Sequence, residues 1–373
     1  MFSGSFDPFT LGHLSVINQA LYHNYGKGIV LDKLIICVTS NNQKKPLFTL
    51  DKRKQMIEEV FANHPLKNKI EVEVNSSLTV DFAKKHGVTT LIRGIRPNTN
   101  DEAQEKIMAR TNQNLARIRG FELNTELLYV KDDEFATISS TLVKDLCYLG
   151  EYIEAASLVP ANVHNELMAI YLEGRFQKLF FNSNQSTAYM HWKELINVYK
   201  NRPYHNLSHL GYIFNMLDIY QSHTDFKSII EFETAIFGHD YVCDTTQTDN
   251  EAKSIKAVTE WIGKRYYKSI DYLTDLIMAT THTSEDLTGD NAVIADIDLS
   301  IIGTFNPQTW NNYCRNIRKE YSHLSDSEFA EGRLKFFEQI LSRKRIFQTD
   351  FFYDLLEKQA IKNISSEVKK LKV

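Results

Sequence analysis

The chain has 373 residues, 43% of them hydrophobic and 24% charged, with a formal net charge of −4. These proportions exclude a disordered or fibrous chain, and an acidic balance with dispersed basic residues argues against a nucleic-acid binder. Cys37, Cys147, Cys243 and Cys314 stand far apart, no apolar run nears the ~18 residues of a membrane span, and no signal-peptide pattern opens the chain. The expectation is a cytoplasmic protein with reduced thiols, no membrane partner and no cysteine zinc site.

At this length two domains are expected. The opening "SGSFDPFTLGH" (3–13) suits neither a helix nor a buried strand, and it runs into "LSVINQALYH", where Leu14, Ile17 and Leu21 recur at helical spacing. A strand end, a tight loop and the first turn of a helix are predicted, an arrangement whose amides and dipole suit an anion. "KLIICVTS" follows as a strand and "LDKRKQMIEEVFANH" as a helix with Asp51 near its start. "KIEVEV" is the next strand and "LTVDFAKKHG" a short helix stopped at Gly87. "TTLIRGI" is a further strand, succeeded by a long polar helix around "DEAQEKIMARTNQNLARI". "TELLYV" closes the strand set, and "SSTLVKDLCYLG" begins a helix at a serine cap. This alternation predicts an α/β doubly wound parallel sheet over residues 1–168, with ligands bound beyond the carboxyl ends of its strands.

Beyond residue 161 the texture changes. "NVHNELMAIYLEGRFQKLFF" is helical, "NSNQST" (182–187) is the most linker-like stretch, and a linker is placed at 169–187. "WKELINVY", "HLGYIFNMLDIY", "FKSIIEFETAIFGHD" and "SEFAEGRLKFFEQIL" all carry helical periodicity with aromatics. An all-α domain is expected over 188–373.

"GSFDPFTLGH" resembles the signature of the nucleotidyltransferase superfamily, and Thr10 in T-L-G-H narrows the resemblance to the phosphopantetheine adenylyltransferase family. "NNQKKPLFTLDKR", "LTVDFA", "LIRGIR" and "ISSTLVK" are similar to that family's segments in the same order. One departure is "RPNTNDEAQEKI", which is a residue shorter than the family's stretch and carries Asp101 and Ala103 where the family has aromatics. The resemblance implies a Rossmann-like fold and transfer of an adenylyl group from ATP, with Mg2+, to 4′-phosphopantetheine, giving dephospho-coenzyme A and pyrophosphate. It implies that His13 and Lys44 are catalytic. Ser5, Phe6, His13, Arg93, Gly94, Arg96, Glu105, Ser139, Ser140 and Thr141 would hold the nucleotide. Ser5, Lys44, Leu78, Thr79, Arg93, Met108 and Asn112 would hold the acceptor. A homo-oligomer is implied as well. The chemistry needs only positioning and charge stabilisation, which these residue types supply.

In the second half, "YHNLSHL" puts His205 and His209 four apart on one helix face, "IFGHDYVCD" supplies His239 and Asp240, and "DIDLSIIG" supplies Asp298. This set resembles the ligands of the HD phosphohydrolase superfamily. The longer stretches "HDYVCDTTQTDNEAKS" and "EYSHLSDSEFAEGR" look like its predicted metal-dependent branch. The resemblance implies a phosphate-ester hydrolase in which His209, His239, Asp240 and Asp298 bind a divalent metal, Mg2+, Mn2+, Fe2+ or Zn2+. His205 is the candidate general acid. Asp244, Asn250, Glu251 and His282 are candidates for a second metal or for substrate. Asp296 stands as an alternative to Asp298, and Arg333, Arg343 and Arg345 either meet a substrate phosphate or are solvated helix residues, with the second reading slightly preferred. Two other readings stand beside the bifunctional enzyme: a different acceptor for the transferase, or one live domain with the helical part as a regulatory module.

Overall fold

The short apolar runs of the first half become strands of one parallel sheet. In this computed structural model, residues 1–22, 31–40, 45–95, 101–129, 135, 137–180, 185–221, 223, 225–262 and 270–372 are described. They fall into two compact units, Met1–Leu167 and Met168–Val373.

The first unit holds β1 (Phe2–Gly4), β2 (Leu34–Thr39), β3 (Ile70–Asn75), β4 (Thr90–Ile95) and β5 (Asn124–Tyr129) in the order β3-β2-β1-β4-β5. Every pairing is parallel, with Phe2 opposite Ile36 on one side and Ile92 on the other. The run "LIICV" of β2 is buried throughout, as an inner parallel strand requires, whereas β3 and β5, at the edges, keep the polar alternation visible in their sequences. Helix α1 (Leu11–Tyr22) packs over β4 and β5, and α2 (Leu50–Phe61) over β2 and β3. Helices α3 (Thr79–Lys85) and α4 (Asp101–Ile118) share a core with the sheet built from Ile35, Cys37, Val80, Phe82, Leu91 and Ala116. Gly94 admits α1 to the sheet: a Cβ there would lie 2.8 Å from Val16 Cγ2. The strand order reverses between β1 and β4, so the loops leaving these two strands flank the crevice where α/β sheets take ligands. The unit ends with α5 (Ser140–Leu149), α6 (Tyr152–Ser157) and most of the first two turns of α7 (Ala161–Leu179).

The stretch expected as a linker, 169–187, is helical through Leu179, and α8 (Gln185–Tyr199) begins inside "NSNQST"; residues 181–184 lie outside the described set. The second unit is helical: α9 (Leu207–Gln221), α10 (Ile229–Gly238), α11 (Asn250–Ile262), α12 (Ile270–Ala279), α13 (Gly289–Leu299), α14 (Pro307–Glu320), α15 (Asp326–Leu341) and α16 (Asp350–Leu371). Its core is aromatic, with Phe176, Trp192, Phe214, Phe232 and Phe237 fully or nearly fully buried. No described helix is long and apolar enough to cross a membrane.

Candidate functional sites

The loop from β1 to α1 orients His13. The Thr10 backbone N–H donates to His13 Nδ1 at 3.0 Å, and Thr10 Oγ1 lies 2.9 Å from the same nitrogen. A backbone N–H can only donate, so Nδ1 is the acceptor and the ring proton sits on Nε2. The imidazole is stacked on Phe9, with centroids 5.6 Å apart, and meets Phe6 edge-on at 5.1 Å. Phe6 has φ 46°, a conformation uncommon outside glycine, and it turns the chain back toward the ring.

Asp7 ties this loop to the rest of the unit. Its buried carboxylate accepts from the N–H groups of Leu47 and Phe48, at 3.0 and 2.9 Å, and pairs with Lys144 Nζ at 3.2 Å and Arg53 Nε at 3.3 Å. Ser5, Ser140, Thr141, Arg53 and Lys144 line one small cleft at the start of α5. Ser139 caps that helix, accepting from the Leu142 N–H at 3.0 Å, and Ser140 Oγ donates to the Pro8 carbonyl at 2.8 Å. Arg53 and Lys144 are functional candidates missed in the sequence. The signal available was Lys144 closing "ISSTLVK", one helical turn beyond the serine cap.

Arg93, at the end of β4, is held flat. Its Nε and Nη2 donate to the two oxygens of Glu105 at 2.6 and 2.8 Å, and Nη1 donates to the Ser3 carbonyl at 3.0 Å. The two residues expected to meet the nucleotide separately are thus one ion pair, which leaves Arg93 with little spare donor capacity. Gly94 adjoins it at the α1 contact. Leu78, exposed, is the cap of α3 and Thr79 its first residue; Met108, exposed, and Asn112 lie one turn apart on α4. Lys44 and Arg96 lie outside the described residues.

In the helical unit, "YHNLSH" folds as a helix start. Asn206 Oδ1 accepts from the N–H groups of Ser208 and His209 at 2.8 and 3.3 Å, capping α9 and pointing His209 inward. "IFGHD" ends α10, and Gly238 lets α11 approach, since a Cβ there would lie 2.2 Å from Val258 Cγ2. His239 Nδ1 meets the Ile236 carbonyl at 2.8 Å and must donate to it, which leaves Nε2 to face the site. Arg202 donates to the carbonyls of Asp240 and Tyr241 and fixes the backbone that carries the pair.

Four side chains converge, His209 from α9, His239 and Asp240 just past the end of α10, and Asp298 from α13. His239 Nε2 is 2.9 Å from Asp240 Oδ2 and 3.5 Å from Asp298 Oδ1; His209 Nε2 is 3.5 and 3.2 Å from the same two oxygens. The two Nε2 atoms are 3.4 Å apart. Asp298, from α13, supplies this carboxylate, whereas the alternative Asp296 is committed elsewhere: it accepts from the N–H groups of Gln348 and Thr349 and from the Thr349 hydroxyl, each at 2.7 Å. Burial opposes ionisation throughout, but His239 and then His205 hold Asp240 well below the usual carboxylate range, and His239 does the same for Asp298. His239, despite burial, is lifted well above the ordinary histidine value by Asp240 and Asp298. Two ring nitrogens at this separation between two carboxylates fit a divalent cation with N and O ligands.

His205 stands beside the cluster, Nε2 3.9 Å from Asp240 Oδ2, with Nδ1 donating to Glu320 Oε2 at 2.6 Å. Burial works against its charge, yet Asp240, Cys243 and Glu320 raise it well above the ordinary value. Glu320 opens the stretch "EYSHLSDSEFAEGR", whose resemblance gave it no role of its own. His282 Nε2 reaches Asp298 Oδ2 at 2.9 Å; its φ of 54° is again uncommon for a side-chain-bearing residue, and Arg343 holds its carbonyl. A cavity of about 510 Å³ opens over the cluster, lined by His205, Asn250, Glu251, His282 and Arg333 among others. Asp244 does not line it: its carboxylate is turned to the Thr246 N–H and hydroxyl at 2.9 and 2.7 Å. Arg345 is paired with Asp350 at 2.8 Å, so of the three arginines considered only Arg333 lines the cavity.

Comparison with known proteins bears on the first unit. A cytidylyltransferase-like family profile matches residues 1–146. The phosphopantetheine adenylyltransferase of Lactococcus lactis subsp. cremoris (strain MG1363) is 36% identical over 168 residues, 45% of this chain and 92% of that protein. The protein of the same name from Anaeromyxobacter sp. (strain K) is 32% identical over 163 residues, 44% of this chain and 88% of its own length. That of Nitratidesulfovibrio vulgaris (strain DP4) is 36% identical over 171 residues, covering 46% and 82%.

Proposed function

Since the chain belongs, through its first unit, to the phosphopantetheine adenylyltransferase family, we propose that this unit transfers an adenylyl group from ATP to 4′-phosphopantetheine. An acceptor phosphate oxygen attacks the α-phosphorus, the bond to the β-phosphate breaks, and pyrophosphate leaves. His13 donates through Nε2–H to the α-phosphate, a role supported chiefly by the Thr10 amide on Nδ1. The amides and hydroxyls of Ser140 and Thr141 at the start of α5, with Lys144, receive the terminal phosphates. Ser5 adjoins the acceptor phosphate, Glu105 keeps Arg93 in plane beside the nucleotide, and Leu78, Thr79, Met108 and Asn112 flank the pantetheine arm. By the family resemblance, Lys44 and Arg96 complete the phosphate contacts. Mg2+ neutralises charge on the triphosphate. The test is pyrophosphate release from ATP, Mg2+ and 4′-phosphopantetheine. His13→Ala is expected to lower kcat roughly 10²–10³-fold with ATP binding kept; a folded wild-type chain that binds ATP yet releases no pyrophosphate refutes the acceptor assignment.

For the helical unit we propose a metal-dependent phosphohydrolase. His209, His239, Asp240 and Asp298 would hold the cation; the convergence of the His209, His239 and Asp298 ligand atoms, with Asp240 Oδ2 2.9 Å from His239 Nε2, is the observation that supports this reading. A bound divalent ion polarises phosphoryl oxygen and lowers the pKa of water. Water adds to phosphorus, the ester P–O bond breaks, and His205 gives its Nε2 proton to the departing alcohol, with Glu320 orienting the ring. His282 and Glu251 face the same cavity as substrate or second-cation contacts. Metal analysis of His239→Ala and Asp240→Ala is expected to show occupancy at least about tenfold below wild type; retained metal would contradict the ligand assignment.

A further inference from the structure

The cavity above the His–Asp cluster has a second pole that the proposed hydrolysis does not use. Arg333 lies on α15 in its wall, and the guanidinium rests over three rings, Cζ being 4.3 Å from the Phe337 centroid, 5.0 Å from Tyr313 and 5.3 Å from Phe336. Its Nη2 is buried without a hydrogen-bond partner. Arg318 and Arg345 carry ion pairs to Asp326 and Asp350, whereas Arg333 has none among the described residues. Stacking on ring faces offsets part of the charge but satisfies no N–H donor. An arginine without an ion pair in the wall of a cavity is suited to an anion.

The two poles differ in kind. One is the cluster of imidazoles and carboxylates, and the other is this single unpaired cation; Tyr313, Ile317, Phe329 and Phe336 line the cavity with them. The volume of about 510 Å³ is that of a site for a small organic molecule rather than for inorganic phosphate alone. We propose that the ligand of the helical unit is a doubly anionic phosphate ester: one phosphate sits at the His–Asp cluster, an apolar stem lies against the aromatic wall, and a second phosphate or a carboxylate is clamped by Arg333. The assignment of the first phosphate rests on the phosphohydrolase reading above; the second-anion subsite is carried by Arg333 itself.

Binding of non-hydrolysable ligands tests it without turnover. The Mn2+-loaded full chain is titrated calorimetrically with pentylphosphonate, 6-phosphonohexanoate and 1,5-pentanediphosphonate, which share a five-carbon stem and differ at the far end. Wild type is expected to bind at least one of the two-headed ligands about tenfold or more tighter than pentylphosphonate, the gain expected of one charge-assisted pair. Which of the two gains more identifies the second anion as carboxylate or phosphate. Arg333→Gln is expected to erase that gain with pentylphosphonate binding changed less than about twofold, which also serves as the folding control, and Arg333→Lys to keep part of it. Pentylphosphonate binding with no gain from a second anion, or an equal loss for all three ligands in Arg333→Gln, overturns the second-anion subsite and leaves the phosphohydrolase reading intact. Arg333-dependent binding of the two-headed ligands without pentylphosphonate binding upholds the subsite and overturns the cluster as phosphate pole. Binding by none of them overturns both.

Discussion

Asp7 shows how much one side chain can fix. It accepts from two backbone N–H groups of the 45–49 loop and faces two buried cations, Arg53 and Lys144. Asp7→Asn removes the charge and leaves both cations buried without it, a loss of roughly 3–5 kcal/mol by analogy with broken buried pairs. Denaturant unfolding of the first unit measures it, and a loss below about 1 kcal/mol would show the pairs to be dispensable. None of this was legible in the sequence, because the partners of Asp7 lie 40 to 137 residues away. The ligand candidates were legible for the opposite reason: His209, His239 and Asp240 sit in short local patterns whose spacing already limits where the side chains point. The "DLSIIG" register alone favoured Asp298 over Asp296 in the sequence, and in three dimensions Asp296 turns to the loop before α16. Glu320 opens a family-like stretch, but its reach to His205 across 115 residues is a contact that no local pattern shows.

At the level of elements, the alternation of short apolar runs with amphipathic stretches was sufficient for the sheet, because burial on both faces leaves strands little choice of residue. The stretch expected as a linker is helical through Leu179, because a single interior glycine, Gly174, with no proline beside it does not end α7 there. Packing of elements yields two predictions. Gly238→Ala forces a Cβ against Val258 at the α10–α11 contact and is expected to destabilise the helical unit by about 1–3 kcal/mol; an unchanged unfolding midpoint would mean the helices part freely. His164, on α7, is pushed by burial down to about 4. Its neutral form is favoured in the fold, so its contribution is complete above the unfolded value near 6.5 and is lost as pH falls from there toward 4. Between pH 7 and 5 the loss is roughly 1–2 kcal/mol. In His164→Gln the urea midpoint should therefore fall less over that interval than in wild type, and equal slopes would refute the assignment.

For the whole molecule, two units with separate cores and separate proposed ligands should answer separately to those ligands. Calorimetry is expected to show one unfolding transition raised by ATP with Mg2+ and another lowered by chelation, each additive shifting its own by several degrees. A single transition moved equally by both would mean the units unfold as one. The paired rings of His209 and His239 carry a further consequence for handling the protein. Asp240 and Asp298 lift His239 well above the ordinary histidine value despite its burial, so this ring carries a second proton when no ion is bound. Loss of the proposed ion is thus linked to uptake of about one proton, and apparent ion affinity should weaken about tenfold for each pH unit on the acid side. Mildly acidic chromatography with citrate would deliver a stripped protein that looks inert, while alkaline buffers would keep the ion aboard, and the metal-to-chain ratio across a pH series of eluates would trace that exchange directly.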